Sequence, residues 1–154
     1  MKKVKFVSLF FLIIAMTMTL AACDSGGGTV DQTKLIQEAN NTLNDFERAM
    51  ENSSISGLEK TLSSRFIYTN GHRSNKEEFL DIASALFSSG GEYTKAQLNH
   101  RVNEVVSNTE IKISGSFRGE GYDVNGYYFE ITHPAQFTIE KENNQWKITR
   151  WIDE

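Results

Sequence analysis

The chain is expected to fold as an α+β domain, an antiparallel sheet packed on three N-terminal helices. Two observations carry this expectation. Apolar residues between positions 31 and 50 recur at every third or fourth place, whereas those after Tyr93 alternate one by one. The longest apolar run, Phe6 to Leu20, stands apart from both, behind Lys2, Lys3 and Lys5. The first spacing is that of an amphipathic helix and the second that of a half-buried strand. The apolar run is too short for a membrane span, which needs roughly 20 residues.

A basic start, an apolar stretch and the small residues Ala21-Ala22 describe a signal peptide over residues 1–22. Leu20-Ala21-Ala22-Cys23 resembles the lipobox of bacterial lipoproteins. The resemblance implies lipid on Cys23, cleavage before it, and an extracytoplasmic domain held on the cell membrane by acyl chains such as palmitate. Two or more such chains anchor stably where one is marginal. Residues 23–30, with Gly26-Gly27-Gly28, read as the lipidated cysteine and a flexible tether, and residues 31–154 as one domain. Cys23 is the only cysteine, so the domain has no internal disulfide and depends on its core.

Within the domain, Leu35, Ile36, Ala39, Leu43, Phe46 and Met50 mark the first helix, and Ile55, Leu58 and Leu62 a second, shorter one. Phe66-Ile67-Tyr68-Thr69 reads as a strand, and Asn70-Gly71 as a hairpin turn. Ser74-Asn75-Lys76-Glu77 fits a capping box with Ser74 as the cap, opening a third helix through Phe79, Ile82, Ala83, Leu86 and Phe87. The sheet region then puts Ala96, Leu98, His100 and Val102 on one face, followed by Ile111, Ile113, Gly115 and Phe117. Tyr127, Phe129, Ile131, His133, Ala135, Phe137 and Ile139 share the next inner face, and Trp146, Ile148, Arg150 and Ile152 the last. Pro134 lies inside a strand, so it needs a bulge or a stretch with no neighbour on one side.

The order of these elements is that of nuclear transport factor 2-like, cystatin-like domains, and the detail resembles the SnoaL-like group. The residues that carry the likeness are Phe66-Ile67-Tyr68 before Gly71, Ser74-Asn75-Lys76-Glu77-Glu78-Phe79-Leu80, and Asn144-Gln145-Trp146-Lys147-Ile148. The resemblance implies a cone-shaped curved antiparallel sheet packed on the three helices, a pocket inside the cone and a homodimer through the outer sheet face. It implies no particular chemistry, because the group holds isomerases, dehydratases, cyclases and assembly domains.

The alternation aims Tyr68, His100, Tyr127, His133 and Arg150 into the cone as the ligand pocket. It sends the acids Glu130, Glu140 and Asp153 outward, so no catalytic residue is expected. The register separates His100 from His133 too far for a shared proton. Arg150, opposite Phe137, would need an anionic partner, either a ligand group or Glu47 or Glu51 on the first helix. Three histidines at wide spacing give no zinc signature, and no phosphate loop or other cofactor motif occurs. Without its signal the chain holds thirteen basic against twenty acidic side chains, a net charge of −7, which argues against nucleic acid.

The resulting expectation is a membrane-tethered lipoprotein whose domain binds a small apolar or anionic ligand, or a protein, without catalysis. The alternatives are an isomerase, dehydratase or cyclase acting on a small apolar substrate, and a dimerisation or assembly domain. An inward acid beside Tyr68 or His100 favours the enzyme. A pocket filled by Phe117, Phe129 and Trp146 favours assembly.

Overall fold

The computed structural model describes residues 31–153. The signal peptide, Cys23 and the tether lie outside the described residues. Helix α1 (Gln32–Glu51) is capped by Asp31, whose side chain accepts from the Lys34 N–H, and α2 (Ile55–Thr61) by Ser54, which accepts from Gly57. Strands β1 (Leu62–Asn70) and β2 (His72–Asn75) form the expected hairpin around Asn70-Gly71, with Gly71 at a φ of 63°. Helix α3 (Lys76–Ser88) follows, then β3 (Glu92–Ser107), β4 (Glu110–Tyr122), β5 (Tyr128–Glu142) and β6 (Gln145–Asp153). No helix among the described residues is long and apolar enough to cross a membrane.

The six strands form one sheet in the order β2-β1-β6-β5-β4-β3. All neighbours are antiparallel except β1 and β6, which run parallel. That one parallel pair brings the end of β1 beside the end of the chain. The core lies in the cone, where Leu43, Phe46, Leu58, Phe66, Ile111, Ile113, Phe117, Phe137, Ile139 and Ile148 are almost fully buried. Burial of aromatic and aliphatic side chains on this scale is the main favourable contribution to folding.

Four sequence expectations are corrected. The cap of α3 is Asn75, not Ser74: the Asn75 side chain accepts from the Glu78 N–H, and the Glu78 carboxylate accepts from Asn75. Both four-residue windows fit the motif, but the hairpin holds Ser74 opposite Tyr68 and leaves the cap to the next residue. Ile82, placed on the buried face of α3, is 62% exposed.

The third correction is a bulge in β3. Pairing runs regularly from Lys95↔Glu120 to Asn99↔Ser116, resumes at Val102↔Ser114, and leaves His100 and Arg101 across from Gly115. His100 takes a φ of 53°, the left-handed region in which non-glycine residues are uncommon. The extra residue reverses the parity, so His100 and Val102 face outward while Arg101, Asn103 and Val105 turn in. The bulged backbone presses on β4, where a Cβ on Gly115 would stand 2.4 Å from the Asn99 carbonyl oxygen.

The fourth is a bulge at Thr149 in β6. The register jumps from Ile139↔Ile148 to Thr138↔Arg150, and Ile148 and Thr149 are both buried. Arg150 and Ile152 are thereby turned away from the core, and Trp151 and Asp153 are turned in. Phe137 faces Trp151, where Arg150 was expected. Pro134 pairs with Ser116 on the β4 side, and on the β6 side the described residues end at the Ala135↔Asp153 pair.

Candidate functional site

Strand alternation aims Tyr68 of β1, His133 of β5, and Trp151 and Asp153 of β6 into the wide end of the cone. Trp151 fills the centre. Its ring lies 4.7 Å from that of Tyr68, 5.4 Å from Phe46, 5.3 Å from Phe117, 5.3 Å from Phe137 and 5.8 Å from Phe79. Aromatic pairs at these separations add stability beyond the area that they bury. They also fill the depth of the cone.

At the mouth of the cone the Tyr68 hydroxyl donates to Asp153 Oδ2 over 2.6 Å and accepts from Asn70 Nδ2 over 3.0 Å. The other carboxylate oxygen, Asp153 Oδ1, is buried and receives no hydrogen bond. Its nearest charge partner is His133 Nδ1 at 3.6 Å, which also lies 3.3 Å from the Pro134 carbonyl. The Asp153 side chain is only 7% exposed. Burial pushes its carboxyl above the usual aspartate value, against the opposing pull of Tyr68, His133 and Trp151. The Trp151 indole N–H favours the charged carboxylate without forming an aligned bond, and has no acceptor.

Burial likewise raises the Tyr68 hydroxyl well above the ordinary tyrosine range, helped by its bond to Asp153. Tyr93 on β3 is raised by the same two causes, burial first and then the Asp153 charge. Its ring meets Phe129 edge-on at 5.3 Å, and His133 leans on Phe117 at 5.5 Å. The corner is therefore a desolvated acid among rings, with one oxygen held by a phenol and one left over.

Of the five pocket residues read from the sequence, the structure brings two together, Tyr68 and His133. His100 is exposed on the outer face, pushed out by the β3 bulge. Tyr127 precedes β5 and is 72% exposed. Arg150 is exposed on the outer face, which removes both the anionic ligand and the helix acids proposed as its partners. Glu47 instead binds Arg101 and accepts from the Leu98 N–H, and Glu51 accepts from Ala96.

Sequence reasoning missed Asp153 and Trp151, although a signal was present. An inward Arg150 beside an outward Trp151 inverts their ordinary preference for water, and one extra residue after Ile148 restores it. A cavity of about 650 Å³ lies elsewhere, among Glu59, Ser64, Asn75, Lys76, Glu77, Leu80 and Asp81. Its Lys76 ammonium is committed to the Glu59 and Leu62 carbonyls, and no aromatic ring lines it. The buried acid and the rings of the cone have no counterpart there. No cluster of three metal-binding side chains occurs among the described residues.

Comparison with solved structures supports the architecture. An NTF2-like protein from Cytophaga hutchinsonii superposes with a TM-score of 0.65 at 14% identity, over 80% of this chain and 98% of that one. A protein from Novosphingobium aromaticivorans, provisionally described as a scytalone dehydratase, gives 0.67 at 10% identity over 80% and 85%. A protein from Exiguobacterium sibiricum, provisionally described as a calcium/calmodulin-dependent kinase II association domain, gives 0.66 at 14% identity over 83% and 95%. At these identities the likeness is one of fold, and the fold is that of the nuclear transport factor 2-like domains. No family model matches the sequence. No curated protein matches it either.

Proposed function

We propose that the protein is an extracytoplasmic lipoprotein, tethered through Cys23, whose domain binds a small, mostly apolar molecule at the cone mouth. The observation that carries the binding reading is the buried Asp153 carboxylate with one oxygen on Tyr68 and the other without a donor. A buried acceptor left unpaired is costly, so the site favours a ligand that brings a donor, a hydroxyl or an amine. The aromatic filling of the cone limits how much of that ligand enters. The test is mass spectrometry of small molecules carried through purification by the full-length protein, against Asp153→Asn. A ligand retained equally by both proteins removes Asp153 from the site.

The tether is argued from Leu20-Ala21-Ala22-Cys23 and from the signal-like residues before it. Cys23→Ala is expected to abolish labelling by radiolabelled palmitate, and continued labelling refutes the tether.

A second reading, proton transfer of the isomerase or dehydratase kind, is favoured by one observation: the inward acid beside Tyr68 that the sequence had placed outside. A carboxyl raised by burial, with a histidine at 3.6 Å, can accept a proton from carbon near neutral pH. In this reading Asp153 is the base, and Tyr68 orients it. Exchange of ligand C–H protons for deuterium, present in the wild type and lost in Asp153→Asn, separates catalysis from binding alone.

A further inference from the structure

The convex face of the sheet holds a second polar site that the cone mouth does not use. Between β3, β4 and β5 lies a basin of about 410 Å³, floored by Asn99, His100, Ser116, Arg118, Glu130 and Thr132, with Lys95 at its edge. That volume is within the range of small-molecule sites. The β3 bulge builds one wall, because it turns His100 out onto this face.

Arg118 is fixed in the basin by two acids. Its Nε lies 2.7 Å from Glu120 and its Nη2 lies 3.0 Å from Glu130. Glu120 sits off the line of the Arg118 Nε–H, which leaves that donor without an aligned acceptor. Glu120 also accepts from the Tyr128 hydroxyl over 3.2 Å. Tyr122 and Tyr128 are cross-strand partners, their rings 5.8 Å apart and 41% and 54% exposed. Arg118, Glu120 and Tyr122 alternate along β4, and Thr132, Glu130 and Tyr128 along β5. The basin and the tyrosine pair therefore form one strip.

The chemistry of the strip narrows its occupant. Lys95 and Arg118 are balanced by Glu120 and Glu130, so neither an anion nor a cation is favoured. An anionic nucleic acid would meet both glutamates. The basin floor carries amide, hydroxyl, imidazole, guanidinium and carboxylate groups, which offer nothing to an apolar molecule. Donors and acceptors in near-equal number, held rigidly on a sheet beside exposed rings, suit a neutral molecule with many hydroxyls and an apolar C–H face. We propose that this strip binds a neutral oligosaccharide. Arg118, Glu130, Asn99 and His100 take its hydroxyls, and a sugar ring stacks on Tyr122 or Tyr128.

The test uses the full-length protein in a detergent without a sugar headgroup. Maltotriose, cellotriose, mannotriose and the trimer of N-acetylglucosamine are titrated by calorimetry at up to millimolar concentration. At least one binds, and Tyr128→Ala and Arg118→Met each weaken it by about tenfold or more. Tyr68→Phe leaves that affinity unchanged, which separates this strip from the cone mouth. Failure of all four sugars overturns the proposal. So does a dimer, shown by sedimentation and by His100→Cys cross-linking, that covers the strip and persists in the presence of sugar.

Discussion

Tyr68 and Asp153 stand 85 positions apart in the chain and share a hydrogen bond of 2.6 Å. They meet because β1 and β6 run parallel, with Tyr68 opposite Trp151, and because the Thr149 bulge turns Asp153 inward. The bond fixes one carboxylate oxygen and leaves the other buried without a donor.

Asp153→Asn removes a desolvated charge while keeping an acceptor for the Tyr68 hydroxyl. Its urea midpoint is expected to equal or exceed that of the wild type at pH 7, while ligand retention is lost. Tyr68→Phe strips the carboxylate of its donor and should cost about 1–3 kcal/mol. A clear loss of stability in Asp153→Asn would show that the charged form is structural.

Trp151 is the aromatic hub, and Arg150 beside it is solvated. Trp151→Ala should cost about 3–5 kcal/mol, and Arg150→Ala should stay within about 0.5 kcal/mol. Chemical denaturation of the two variants checks the Thr149 bulge directly, because a regular strand predicts the reverse order.

Asn75, with Glu78, caps α3. Asn75→Ala is expected to cost about 1 kcal/mol, whereas Ser74→Ala costs much less. Equal losses would restore the cap to Ser74.

Glu47 of α1 holds Arg101 of β3 at 2.6 Å and takes the Leu98 N–H at 2.7 Å. Arg101→Met leaves that acid buried without its partner and should cost about 3–5 kcal/mol. Burial holds the Glu47 carboxyl above the usual glutamate value despite Leu98 and Arg101. The folded state therefore binds the proton more tightly than the unfolded one, and stability falls as pH rises through that window. Relative to Glu47→Gln, the wild type should gain stability as pH drops from neutral towards the usual glutamate pKa. A difference that stays constant with pH would mean Glu47 is not raised.

The helix and strand order, the hairpin at Asn70-Gly71 and the burial of Phe117, Phe137 and Trp146 were all legible in the sequence. Each rests on periodicity or on local backbone chemistry, which neighbouring residues settle among themselves. The inner faces of β3 and β6 were legible only as far as Leu98 and Ile148. Beyond those points one extra residue in each strand reverses every later side chain, because the side-chain period of a strand is two.

Nothing local marks the β3 bulge, which turns Arg101 inward, where its partners on α1 are Glu47, Asn40 and Asn44. The β6 bulge resolves a competition between Arg150 and Trp151 for the same aromatic centre. The sequence by itself determined the architecture and the apolar floor. The tertiary structure decided which polar residues line the cone mouth, because parity beyond a bulge depends on what the opposing strand and helix offer.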